Sequence, residues 1–266
     1  MPQDRKTGIF YELHGAGAPL FLAFPHMASF CEIFGETAGA MWKDYLDRLT
    51  DDYRVLLIDY PNIGKSHVPD PHDMTIDRVC ADMLAVAETA GFKRFAWWGY
   101  TFGAVVGLHL ASRSDRVSAL VCGGWSPLGA QYDDMRAATS EPPPAHATAV
   151  LREPGQYAQW STFYESFKDW REAEAVVRIA CPKLLYYGAN AEPDVGGGGR
   201  ILRIAPTNRA NRPQLEREGW TVTEIPDADN TVLTEPARVV PIVREFLDAV
   251  PRHCLEARIA RATSDV

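Results

Sequence analysis

Nowhere among the 266 residues is there a run of about 18 apolar side chains, the length a membrane-crossing helix needs. The opening, Met1 to Gly8, carries no apolar block of the kind that marks a secretory signal. Basic residues are outnumbered, 27 Lys and Arg against 35 Asp and Glu, for a net charge of −8. That balance excludes the basic footprint with which proteins hold nucleic-acid phosphates. The five cysteines (Cys31, Cys80, Cys122, Cys181 and Cys254) contain no CxxC pair, and their odd number does not suit a disulfide framework. Reduced and mostly buried thiols in a cytoplasmic protein are expected, with no metal and no organic cofactor.

What is present is an ordinary globular composition, 46% hydrophobic and 23% charged. Short apolar runs alternate with longer segments of helical spacing. Strands are expected at 9–13, 20–24, 54–59, 95–100, 117–123, 183–188 and 220–225, and helices at 41–49, 74–90, 102–112 and 237–250. Near-continuous apolar strands between helices specify a mostly parallel sheet with helices on both faces. From Ser126 to about Ala180 the chain turns polar, aromatic and Pro-rich (Pro142, Pro143, Pro144) without strand signals. The expected organisation is therefore an α/β core built from 1–125 and 181–266, with 126–180 inserted as a short helical cap.

Four segments in order resemble the α/β-hydrolase fold. Gly99-Tyr100-Thr101-Phe102-Gly103, between a strand and a helix, resembles the nucleophile elbow G-x-S-x-G with Thr in place of Ser. Asp59-Tyr60-Pro61-Asn62-Ile63-Gly64-Lys65-Ser66 is similar to the family's D-x-P-G-x-G-x-S loop. Cys181-Pro182-Lys183 to Gly188 resembles the strand before the acid loop, and Ile225 to Asn230, followed by Glu235-Pro236, resembles the stretch that carries the catalytic histidine. The resemblance spans residues 8 to 250.

In that family a histidine activates the nucleophile and a carboxylate orients the histidine. The register puts Asn230 at the histidine position, and Asn cannot take up a proton at neutral pH. Ala191 falls where the acid sits, with Glu192 and Asp194 close enough for a small slip to restore a carboxylate. Asp229 could serve as a base if burial raised its pKa. Where relatives read His-Gly-x after the first inner strand, this chain reads Phe24-Pro25-His26. His26 is thus expected beside Thr101, as acid–base group and, through its backbone, as an oxyanion donor alongside the Phe102 N–H. Tyr100, Phe24, Trp125 and Cys31 are the candidate substrate contacts. Asp59, at a strand end, is expected to fix its own turn. His14, His67, His72, His109 and His146 read as structural or solvated, and His253 lies beyond the last helix.

Losing the nucleophile–base unit of a serine hydrolase costs on the order of 10⁶ in turnover, and what remains is about 10³ to 10⁴ over water. The expectation is consequently an enzyme that promotes a non-hydrolytic step (proton transfer, elimination, cyclisation or rearrangement) on a small, apolar, carbonyl-bearing molecule. The alternatives are an inactive small-molecule-binding protein and a hydrolase rebuilt around Thr101. No nucleic-acid or membrane partner is expected, and the oligomeric state stays open, a homodimer being one option.

Overall fold

The computed structural model describes residues 3–143, 148, 150–196 and 199–251; His146, His253, Cys254 and part of the 196–199 glycine run lie outside them. Seven strands form one sheet: β1 (Tyr11–His14), β2 (Ala18–Leu22), β3 (Tyr53–Ile58), β4 (Phe95–Tyr100), β5 (Val117–Gly123), β6 (Lys183–Gly188) and β7 (Trp220–Ile225). Their order is β1-β3-β2-β4-β5-β6-β7. β1 pairs antiparallel with β3, and every other pairing is parallel. The inner strands β4, β5 and β6 are buried along their whole length, as continuous apolar runs must be when both faces are covered. The edge strand β7 alternates instead between buried and exposed positions.

Helices α1 (Phe30–Asp47), α2 (Ile76–Thr89), α3 (Phe102–Arg113), α4 (Tyr132–Ser140), α5 (Ala158–Glu165), α6 (Glu172–Val177), α7 (Ile204–Arg217) and α8 (Pro236–Ala249) flank the sheet and its connections. α1 packs beside α8, and α2 beside α3. Thr75 caps α2, its hydroxyl accepting the Arg78 N–H at 3.3 Å. Two elements depart from expectation. α1 starts at Phe30 rather than Met41 because Gly35, at φ 80°, kinks it, and the segment ahead of the kink exposes Phe34, which hides its periodicity. α7 went unseen because its sequence is polar and carries Pro213.

The centre of the sheet is aromatic. Trp97 and Trp98 are fully buried, and both indoles are satisfied: Trp97 Nε1 donates to the Gly103 carbonyl at 2.9 Å and Trp98 Nε1 to the Tyr186 hydroxyl at 3.0 Å. Cys80 and Cys122 are buried, but Cys181 is half-buried and Cys31 exposed, because Cys31 lies on the solvent-facing first turn of α1. Among the described residues no helix is long and apolar enough to cross a membrane. Because the inner strands are parallel, the loops that follow β2, β4, β5, β6 and β7 all emerge at one edge. Ligand sites of open α/β sheets form at that edge.

Candidate active site

The turn after β4 is the most constrained point of that edge. Thr101 has φ 45° and ψ −111°, a conformation that a β-branched residue adopts only under strain. Its N–H donates to the Gly123 carbonyl at 2.9 Å, and its own carbonyl accepts from Ala104 and Val105 at 3.0 and 3.1 Å, starting α3. Gly99 and Gly103 make the turn possible: a Cβ on Gly99 would overlap the Gly103 backbone, and one on Gly103 would overlap the Phe24 carbonyl. Among the described residues the Thr101 hydroxyl makes no hydrogen bond, and neither does the Phe102 N–H at the first turn of α3.

The second oxyanion donor is not where the sequence reading put it. The His26 N–H is spent on the Ala23 carbonyl at 3.2 Å, and Pro25 has no N–H to give. The Phe24 carbonyl accepts the Tyr100 N–H at 3.1 Å and lies closest to the Gly103 turn, while the Phe24 N–H is turned toward the buried Tyr60 hydroxyl, where it works against the rise in pKa that burial causes. The Phe102 N–H is thus the backbone donor at the elbow without a partner among the described residues.

The His26 side chain turns away from the elbow as well. It is buried among the rings of Trp42 (4.3 Å between centroids), Tyr45 (4.5 Å) and Trp98 (5.9 Å), and burial pushes its pKa down to about 3. An imidazole held neutral this firmly does not exchange protons at pH 7. Tyr100 is also fully buried, so it cannot meet substrate. Its hydroxyl crosses to the β7–α8 loop and donates to the Asn230 carbonyl at 2.9 Å, with Asn230 Oδ1 at 3.4 Å.

Among the described residues of the loops after β6 and β7, the candidate carboxylates are bonded elsewhere. Ala191 is buried in a turn, its N–H on the Gly188 carbonyl at 3.0 Å and its carbonyl accepting from Ala205 at 3.0 Å. Glu192 pairs with Arg203 at 3.8 Å, and Asp194 accepts the Gly199 and Arg200 N–H groups at 3.0 and 3.1 Å, so neither carboxylate is bonded to Asn230. Asp229 is exposed and accepts the Thr231 hydroxyl and N–H at 2.6 and 2.7 Å, contacts that hold its pKa below the ordinary value rather than raising it. Trp125 is buried with its indole N–H toward the Tyr132 hydroxyl at 3.4 Å, and Cys31 lines a separate cavity under α1. Phe24 and Phe102 do stand together, edge to face at 5.7 Å, and Trp160 and Phe163 of α5 close on Phe102 at 5.0 and 4.5 Å. Asp59 fixes its turn as expected, its carboxylate accepting the Ser29 N–H (2.8 Å), the Ser29 hydroxyl (2.6 Å) and the Lys65 N–H (2.9 Å).

One titratable group escaped the sequence reading. Glu172, at the start of α6, accepts the Gly129 N–H at 2.5 Å, and burial raises its pKa to about 7. Its fixed partner is a turn, and no pattern of spacing in the sequence points to it.

The sequence profile of the alpha/beta hydrolase fold matches residues 23–188. The chain belongs to the α/β-hydrolase family. Among curated relatives, a protein of Stutzerimonas stutzeri (strain A1501) named "Putative carbamate hydrolase RutD" is 34% identical over 101 residues, covering 38% of this chain and 36% of that one. The pimeloyl-[acyl-carrier protein] methyl ester esterase of Vibrio atlanticus (strain LGP32) is 36% identical over 90 residues, covering 34% and 33%. The matches thus span about a third of the length of each of these two relatives. Solved structures similar over the whole fold include a thermophilic esterase from Thermogutta terrifontis (TM-score 0.69, 18% identity, 91% and 93% covered). The enol-lactonase from Burkholderia xenovorans LB400 is a second (TM-score 0.65, 20% identity, 92% and 98% covered). At such identities the likeness is one of fold.

Proposed function

We propose that this α/β-hydrolase-fold chain is an enzyme whose Ser-His-Asp triad has been replaced, and that it promotes a non-hydrolytic step on a small, mostly apolar carbonyl compound. One observation carries the reading: the Phe102 N–H, without a partner among the described residues, stands beside a strained Thr101, and the resemblance would put Ala191 and Asn230 at the acid and histidine positions. The Phe102 N–H takes the carbonyl oxygen as negative charge develops on it, a contribution of about 3 to 4 kcal/mol for one donor of a well-formed oxyanion hole. The Thr101 hydroxyl, with no base to deprotonate it, acts as a second donor rather than as a nucleophile. Elimination, cyclisation or rearrangement in which the substrate's own groups exchange the proton then needs positioning and charge stabilisation alone. The half-buried rings of Phe24 and Trp160, packed on Phe102, favour an apolar substrate body, with the 126–180 segment as its cap.

A rebuilt hydrolase is the competing reading, favoured by the hydrolase names of the relatives. Two measurements separate the readings. The first is turnover of p-nitrophenyl butyrate by the native chain and Thr101→Ala, with intact-mass detection of an adduct. The second is cyclisation of 2′-hydroxychalcone to flavanone, followed by absorbance, in which the substrate's own phenol oxygen adds to the enone carbon and its proton ends on the α-carbon. The expected result is background ester turnover, no adduct, and catalysed cyclisation that survives Thr101→Ala. An acyl adduct lost in Thr101→Ala establishes the hydrolase. Neither cyclisation nor adduct leaves a binding protein, and either result overturns the proposal.

A further inference from the structure

Under α1, on the flank of the sheet formed by β1, β2 and β3, lies a cavity of about 460 Å³ that Thr101, Phe102 and Asn230 do not line. That volume is in the range of small-molecule sites. Its wall is largely apolar, built from Leu22, Met27, Leu46, Leu57 and the Trp42 ring. Gly39 contributes by what it lacks: a Cβ there would overlap Cys31 Sγ, so glycine leaves room for the thiol in the wall.

His26, displaced from the elbow, lines this cavity. Its Nδ1 faces the Ala23 carbonyl at 3.2 Å, and a carbonyl only accepts, so Nδ1 carries the proton. Nε2 is then a lone-pair acceptor, buried and without a partner. Trp42 Nε1 is a buried donor, equally without a partner, and the two rings touch at 4.3 Å between centroids. An acceptor and a donor left unpaired in two touching rings both cost stability that a suitable guest recovers. Neither atom is exposed in this structure, so the contact proposed below requires the Trp42 ring to turn. Polar groups at the rim are matched within the chain, His14 hydrogen-bonded to Glu12 at 3.0 Å and Lys43 paired with Asp47 at 2.5 Å. Glu36 at the rim has no ion partner among the described residues, which disfavours an anionic guest.

We propose that this cavity binds a neutral, mostly apolar molecule bearing one hydroxyl group, an alcohol or phenol, whose oxygen accepts the Trp42 Nε1–H and whose proton is donated to His26 Nε2. A ketone has no proton for the imidazole, an ammonium has no lone pair for the indole, and a carboxylate meets a lone pair. A hydroxyl satisfies both atoms at once. The site stands apart from the elbow and does not depend on the reaction proposed there.

The test is calorimetric titration of the whole chain with 2-naphthol and with 2-methylnaphthalene, which replaces the hydroxyl by a methyl group of similar size. The native chain is expected to bind 2-naphthol about tenfold more tightly than 2-methylnaphthalene. Trp42→Phe keeps the ring and removes the donor, and should abolish that preference while leaving 2-methylnaphthalene binding in place. Ala40→Phe, filling the cavity from its solvent side, should remove binding of both, with thermal melting showing that each variant folds. Thr101→Val should change neither. Equal affinity for the two probes, no binding of either, or binding that Thr101→Val removes and Trp42→Phe preserves would overturn the proposal. None of these readouts is a turnover, so the result is separable from the chalcone cyclisation.

Discussion

The two halves of the candidate site are built differently. On the β4 side, Thr101 sits at φ 45°, Gly99 and Gly103 admit the close backbone approach, and the Phe102 N–H has no partner among the described residues. On the β6 and β7 side, Ala191 is locked in a turn, Asn230 is latched by the Tyr100 hydroxyl, and Asp229 is tied to Thr231. The first half is made of backbone, held by glycines and by strain; the second offers side chains that are already bonded within their own loops or to Tyr100. Backbone donors are set by the fold and outlast substitution, whereas a proton relay disappears with two side chains.

The sharpest way to break the contrast is to rebuild the second half on the first. Thr101→Ser combined with Ala191→Asp and Asn230→His should raise p-nitrophenyl butyrate turnover by about 10² or more over the native chain, if the backbone half is competent. Stopped assays at pH 8 would read it, and no gain would mean that the donors are not aligned. Acid titration probes where the protonatable groups went instead. His26 and His109 both have folded pKa values lowered to about 3 by burial, with the Arg113 charge adding to the effect at His109. The unfolded chain binds these protons near pH 6.5, so stability is intact above that pH and falls as the pH drops toward 3. Each histidine contributes up to about 1.4 kcal/mol per pH unit. Urea midpoints between pH 7 and 4.5 should show the slope, and His109→Gln should remove about half of it. The smallest effect tests the stored strain. Thr101→Gly relaxes the elbow and should raise stability by about 1 kcal/mol, or roughly 2–4 °C in melting temperature. A variant that melts lower would show that Thr101 is not strained.

The sheet was legible because inner parallel strands need uninterrupted apolar runs: Phe95–Tyr100, Val117–Gly123, Lys183–Gly188 and Trp220–Ile225 fall at the expected bounds. The elbow was legible for a similar reason, since glycines at 99 and 103 are required by contacts that no other residue tolerates. His26 was misplaced because the sequence fixes neither the direction in which a side chain leaves a turn nor which N–H in that turn stays free. Tyr100 was misread for the opposite reason: its neighbour Thr101 faces the edge loops, while strand alternation sends Tyr100 inward. The cavity under α1 depends on a kink at Gly35 and on a helix half whose exposed Phe34 obscures its pattern, so no period in the sequence announces it.

The three hydrogen bonds that Ser29 and Lys65 give to the Asp59 carboxylate also bear on the order of folding. The Ser29 donors lie 30 residues from Asp59 and the Lys65 donor 6, so joining them closes short loops at modest entropic cost. The segment that leads from Phe24 into α1 is thereby fastened by contacts within the first 65 residues, and needs no part of the chain that forms β6 and β7.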